Sequence, residues 1–174
     1  KDNFLDQKEF DSIQSLMMGD NFGWSYNNSI DSNSDINKFQ FVHTFYHTQS
    51  YGKPFNDIAT ITILQPIFSK FRPMAIFRVK ANLLTRTSTI VENEFHIDLE
   101  IPSHTSPDVK KNINLVTTSI FYLNTNDGYT FFEDGTKVNS VANRMLTFPG
   151  YMKHTGTTCT DDSVRVVINF NYMV

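Results

Sequence analysis

Features that would direct this chain to the cell exterior or into a membrane are scarce among its 174 residues. The only cysteine, Cys159, has no partner for a disulfide within the chain, which is compatible with a reducing compartment. No run of about 18 apolar residues is present that could span a bilayer. The first residues also lack the apolar core of a signal peptide. The sequence therefore predicts a cytoplasmic protein without a membrane segment.

Basic side chains are also fewer than acidic ones. Lysine and arginine number 15 against 18 aspartates and glutamates, a formal net charge of −3. Proteins that bind nucleic acid in general need an excess of basic side chains to neutralise phosphates, so this activity is not expected. Residues 58–91 differ, because they contain basic side chains and no acid. We interpret this stretch either as a solvated face or as a rim that attracts an anionic ligand.

Apolar patterning predicts helices first and strands afterwards. Helical spacing indicates helices at about 4–18 and 56–71, the second with a buried stripe of Ile58, Ile61, Leu64, Ile67 and Phe68. Alternation and turn signals predict strands at 39–47, 74–84, 94–101, 115–124, 130–132, 143–148 and 164–172.

This order predicts a mainly β fold with N-terminal helices, of the α+β kind. The expected architecture is a double-stranded β-helix, a jelly-roll or cupin-like barrel, backed by helices. We expect one domain over 1–174, with 1–73 as a helical, N-terminal support region. Residues 74–174 would form the barrel core that carries the functional site.

A histidine and a carboxylate lie two residues apart in the predicted strand at 94–101. Because side chains alternate across a strand, His96 and Asp98 are expected on one face. A second histidine, His154, follows a predicted strand and is flanked by glycines, so we expect it in a loop at the barrel mouth. Two histidines and one carboxylate on one face of an octahedral ion leave three positions open, as in non-haem iron(II) oxygenases. The same residue types also serve catalytic zinc.

The last predicted strand carries an arginine on its less apolar face. Val166, Ile168 and Phe170 are expected to be buried against the second layer, while Arg165 and Asn169 point into the barrel. A buried arginine is costly unless it meets an anion. Its planar fork suits a carboxylate, so this position favours a carboxylate ligand over a structural ion pair.

These motifs together resemble the iron(II)/2-oxoglutarate oxygenases. The pattern is H-x-D, a later histidine, and an arginine eleven residues beyond it. The closer similarity is to the prolyl-4-hydroxylase-like branch, which has many bacterial and viral members. It covers roughly residues 74–174 and includes Ile120-Phe121-Tyr122-Leu123-Asn124, which looks like the tyrosine-bearing strand of that branch.

The resemblance implies that His96, Asp98 and His154 ligate iron(II), and that 2-oxoglutarate and O2 are consumed. The implied reaction hydroxylates a C–H bond of a protein side chain or a small metabolite and releases succinate and CO2, so the implied partner is a small-molecule or peptide substrate. Halogenating members have a small residue in place of the aspartate, so Asp98 favours hydroxylation. Two alternatives stay open: a non-enzymatic jelly-roll metal-binding or structural protein, and a cupin-type zinc hydrolase.

The resemblance also implies a binding site for 2-oxoglutarate. Arg165 and Tyr122 would bind its distal carboxylate, and Asn169 would assist. Many members have a hydroxyl side chain two residues after the arginine, where this chain has Val167. For a further contact on the strand before the H-x-D motif, the sequence offers Lys80 or Asn82.

Overall fold

The computed structural model describes residues 1–30, 38–48, 58–99 and 115–174. Within these ranges the elements are α1 (Gln7–Met17), β1 (Ser25–Asn27), β2 (Gln40–His47), α2 (Ile58–Phe71), β3 (Ala75–Thr85), β4 (Thr117–Tyr122), β5 (Tyr129–Phe132), β6 (Lys137–Asn139), β7 (Arg144–Pro149), β8 (His154–Gly156) and β9 (Val164–Met173). None of the helices in these ranges has the length and apolar character needed to cross a membrane.

The strands form two antiparallel sheets. The larger sheet has the order β1-β2-β3-β9-β4-β7, and the smaller has the order β6-β5-β8. Strand β9 lies inside the larger sheet, between β3 and β4. The predicted fold class is confirmed: the protein is mainly β, with a jelly-roll arrangement in which the described ranges form two sheets and two helices. Strands β1 and β2 extend the larger sheet, so residues 1–73 contribute more than helical support.

Strand β9 separates two apolar clusters, because its side chains alternate between the faces of the sheet. On one face, Val166, Ile168 and Phe170 are buried in a core shared with both helices, as predicted. On the other face, Val167 packs with residues of both sheets, namely Ile120, Tyr122, Phe132 and Phe148. The space between the two sheets is therefore the barrel interior.

The buried face of α2 agrees with the predicted one at Leu64 and Ile67 but differs from it at Ile58 and Ile61. The buried residues are Thr60, Ile63, Leu64 and Ile67. Ile58 is 84 % exposed and Ile61 is 43 % exposed, so these two assignments were wrong. The helix carries four isoleucines around its circumference, and more than one stripe fits helical spacing. Contact with the sheet selects among them.

Candidate metal and anion site

The two histidines face each other across a single antiparallel bridge. Each backbone N–H donates to the other residue's carbonyl at 3.0 Å, and the ring centroids of His96 and His154 lie 5.0 Å apart. His154 is thus the first residue of β8 and not a loop residue as predicted. The strand predicted at 94–101 is reduced, over its described residues 94–99, to this one bridge. Strand β8 has only three residues, too few for alternation to reveal it.

Main-chain carbonyls orient both imidazole rings. Nδ1 of His96 lies 3.0 Å from the carbonyl oxygen of Glu94, and Nδ1 of His154 lies 3.2 Å from that of Met152. When the Nδ1–H donates to a carbonyl, Nε2 is left as the ligand atom. Burial lowers the pKa of His154, against the opposing effect of Asp98. For His154, burial thus favours the neutral ring that binds metals.

Asp98 lies beside the two rings, and one ligand atom from each of the three residues falls within 4.8 Å of the others. Its side chain is 4 % exposed and lies 2.7 Å from Nη2 of Arg78 through Oδ1. Oδ2 accepts a hydrogen bond from Nδ2 of Asn171 at 3.1 Å. Burial raises the pKa of Asp98, but Arg78, both histidines and Asn171 outweigh it and bring the pKa to about 2. The carboxylate is therefore ionised, and together with the two imidazole rings it provides a ligand set that fits a divalent metal.

Arg165 is buried, and no carboxylate in the described part of the chain lies within ion-pair distance of it. Its Nε donates to Oγ of Ser140 at 2.8 Å, and Nη2 donates to Oγ1 of Thr130 at 3.3 Å. The guanidinium carbon lies 5.6 Å from the ring centre of Tyr122. Burial lowers the pKa of Arg165. Hydroxyl groups compensate a buried cation less well than an anion does, so this pocket suits an anionic ligand.

Two glycines make room for the arginine. A Cβ on Gly128 would lie 2.6 Å from Cδ of Arg165 and 2.8 Å from the carbonyl oxygen of Thr158. A Cβ on Gly156 would lie 3.3 Å from Nη1 of Arg165. The larger side chain of any other residue at position 128 would displace the arginine or the backbone beside it.

The other predicted site residues line the same interior. Tyr122 donates its hydroxyl to Thr130 at 2.7 Å. Asn169 lies on the Arg165 face of β9, and its buried Oδ1 has no hydrogen-bond partner among the described residues. In the β3–β9 register Lys80 is opposite Asn169, and Asn82 is opposite Val167. Opposite residues project to the same side of an antiparallel pair.

No protein-family model and no curated protein matches this sequence. Solved structures match over nearly the whole chain. A prolyl hydroxylase from Trichoplax adhaerens, solved with a peptide fragment of the hypoxia inducible factor oxygen degradation domain, has a TM-score of 0.64 at 15 % identity, covering 99 % of this chain and 81 % of its own. The non-heme α-ketoglutarate dependent epimerase SnoN from nogalamycin biosynthesis has a TM-score of 0.63 at 11 % identity. The match covers 99 % of this chain and 74 % of the epimerase. A 2OG-Fe(II) oxygenase family oxidoreductase from Burkholderia pseudomallei has a TM-score of 0.56 at 11 % identity. The match covers 97 % of this chain and 80 % of the oxidoreductase.

The chain has the fold of the iron(II)/2-oxoglutarate oxygenases. The resemblance indicated by the motifs is thus confirmed at the level of the fold. The roles of the metal-binding and 2-oxoglutarate-binding residues stay predictions.

Within this oxygenase fold, two polar residues of the interior were not predicted from sequence as part of the site. Arg78 contacts Asp98, and Asn171 contacts both of them. Two signals were present in the sequence. Arg78 belongs to the acid-free basic stretch, and Asn171 continues the Arg165 face of the last strand. Neither signal identifies Asp98 as the partner, because the contacts join distant segments.

Proposed function

We propose that this protein is an iron(II)- and 2-oxoglutarate-dependent dioxygenase. It would hydroxylate a protein side chain or a small metabolite and release succinate and CO2. One observation carries the proposal: a two-histidine, one-carboxylate cluster shares a barrel interior with a buried arginine that has no carboxylate partner in the described ranges.

His96, Asp98 and His154 would hold the metal. Iron(II) bound there would supply activation of O2 together with 2-oxoglutarate. The contribution of the chain is orientation, because carbonyl groups hold both rings with Nε2 free, and Arg78 and Asn171 hold the carboxylate. His154 and the Asp98 side chain are buried, which restricts water on their side of the site, whereas the His96 side chain is 35 % exposed.

Arg165 would bind the distal carboxylate of 2-oxoglutarate through its N–H donors, with the Tyr122 hydroxyl beside it. Gly156 borders the guanidinium and lies two residues from His154 on β8, which is about 7 Å along a strand. This spacing along β8 places Arg165 near one proposed metal ligand, which supports the binding of one short dicarboxylate at both. Asn169 and Lys80 face the interior between the two ends and are candidates for a further contact.

Substrates of two classes are compatible with this fold. The Trichoplax enzyme was solved with a peptide, whereas the SnoN epimerase comes from the biosynthesis of nogalamycin. We propose a peptide or a small metabolite as the substrate of this chain. A screen for succinate production against amino acids, peptides, nucleobases and cell extract would choose between them.

The proposal is tested by titrating the protein with iron(II) and then 2-oxoglutarate under nitrogen. We expect a weak charge-transfer band in the visible range that requires both additions. A zinc hydrolase or a structural metal-binding protein would bind the metal without producing this band. Absence of the band in protein shown to bind iron(II) would contradict the proposed function.

A further inference from the structure

We infer that Arg78 and Asn171 are positioning residues that hold the carboxylate of Asp98 in the orientation in which it can ligate the metal. The inference rests on the proposed function, and it assigns a role to two residues that the sequence motifs leave without one. Neither residue supplies a ligand atom itself. They act through Asp98.

The three side chains form a closed triangle. Nη2 of Arg78 lies 2.7 Å from Oδ1 of Asp98, and Nε of Arg78 donates to Oδ1 of Asn171 at 3.0 Å. Nδ2 of Asn171 donates to Oδ2 of Asp98 at 3.1 Å and to Oγ1 of Thr118 at 3.0 Å. Each carboxylate oxygen therefore has its own donor, and the two donor side chains are also bonded to each other.

The backbone near Asp98 explains why this triangle is needed. Over residues 94–99 the chain pairs only at His96, so no strand ladder orients the aspartate two residues later. Arg78 and Asn171, by contrast, lie opposite each other on β3 and β9, inside the six-stranded sheet. The carboxylate thus takes its orientation from a rigid sheet through side chains. Outer-shell partners of metal ligands typically act in this way.

Charge and geometry predict opposite effects for Arg78. A cation beside a metal site repels the metal, so a role in charge alone predicts tighter metal binding once Arg78 is neutralised. A positioning role predicts weaker binding, because the carboxylate loses its fixed orientation. Lysine would keep the charge but lacks the planar guanidinium that contacts Asp98 and Asn171 at the same time.

The test is the affinity of the metal-free protein for manganese(II), measured by electron paramagnetic resonance. We expect Arg78→Gln to weaken binding about 10-fold or more, in the range of roughly 10- to 100-fold usual for outer-shell partners. Arg78→Lys should recover only part of the loss, and Asn171→Ala should also weaken binding. The double variant should lose less than the product of the single losses, because both residues act on one carboxylate.

Arg144→Gln is the matched control. Arg144 forms another arginine–aspartate pair, with Asp2, on the exposed part of the protein. Its removal should leave manganese affinity unchanged. Visible spectra of the cobalt(II)-loaded proteins add a readout that a loss of stability alone would not move: the bands should shift in Arg78→Gln and not in Arg144→Gln.

Manganese affinity in Arg78→Gln that is tighter than, or within about twofold of, the wild-type value would overturn the inference. Full recovery by Arg78→Lys would overturn it as well, since charge would then suffice. A wild-type protein that binds neither manganese nor cobalt would overturn the proposed metal site and this inference together. If the wild-type protein binds manganese and the Arg78 and Asn171 variants bind it equally well, the inference is overturned and the proposed metal site is not.

Discussion

The two ends of the barrel interior each bury a charge, but they treat it differently. At the metal end, the Asp98 carboxylate meets Arg78 and Asn171. At the other end, Arg165 meets the hydroxyl groups of Thr130 and Ser140, and no carboxylate within the described ranges. Within the described ranges, the first charge is compensated by an ion pair and the second only by hydroxyl groups. This difference is what the proposed binding of a metal at one end and of a dicarboxylate at the other would use.

The ionisation of the two groups follows the same contrast. The partners of Asp98 overcome the effect of burial and lower its pKa to about 2. Nothing comparable offsets burial at Arg165, whose pKa is lowered. The charged form is therefore stabilised at the metal end and destabilised at the arginine end. An incoming carboxylate would remove the second penalty.

The largest effect is expected from His154→Ala at the metal end. Removing a ligand should weaken manganese(II) binding by more than about 100-fold, beyond the roughly 10- to 100-fold typical of outer-shell partners. Electron paramagnetic resonance measures the free ion. His43→Ala is the control, because His43 bonds to the carbonyl of Gly23 and packs on Phe22 and Phe45. Similar affinities in the two variants would contradict the proposed metal site.

Arg165→Ala should have the next largest effect, and only at the other end. Loss of a buried charge pairing costs about 2–5 kcal/mol, or roughly 30- to several-thousand-fold in affinity for 2-oxoglutarate. Calorimetry under nitrogen, with manganese in place of iron, measures this affinity. Arg165→Lys should recover part of it, and metal affinity without 2-oxoglutarate should barely change. Binding of 2-oxoglutarate by Arg165→Ala within about twofold of wild type would make the arginine structural.

Gly128→Ala should reproduce a weaker form of the Arg165 phenotype. The added Cβ would lie 2.6 Å from Cδ of Arg165, and overpacking of this kind costs about 1–3 kcal/mol, so we expect roughly 10-fold weaker 2-oxoglutarate binding. Gly23→Ala is the control, because a Cβ there would meet nothing within 4 Å. Equal 2-oxoglutarate affinities in the two alanine variants would show that the arginine does not need the space at position 128.

Tyr122→Phe should have the smallest effect. It removes the hydroxyl that donates to Thr130 beside Arg165, and one hydrogen bond is worth about 0.5–1.5 kcal/mol, so 2-oxoglutarate affinity should fall roughly 2- to 10-fold. Tyr172→Phe removes a buried hydroxyl that bonds to Ser119, and it should leave this affinity unchanged. A larger loss in Tyr172→Phe than in Tyr122→Phe would argue against a role for Tyr122 in the anion pocket.

Local patterns were sufficient for most of the fold. A period of two is a property of neighbouring residues, so the sequence predicted the last strand and the burial of Val166, Ile168 and Phe170 without knowledge of what covers them. Patterns failed where they were short or ambiguous. Strand β8 has three residues, and the isoleucines of α2 allow several stripes.

The types of residue and their order along the chain were sufficient to propose the two histidines, Asp98 and Arg165 as site residues. The prediction of a single domain also rests on the sequence alone. Which groups surround these residues depended on the tertiary structure. Asp98 and Asn171 are 73 residues apart, and Arg78 reaches Asp98 from a strand in the middle of the sheet. No local periodicity encodes such contacts, because they depend on the register of β3 on β9 and on the bridge that joins His96 to His154. The hydroxyl groups beside Arg165 likewise come from distant segments, because Thr130 lies on β5 and Ser140 directly follows β6.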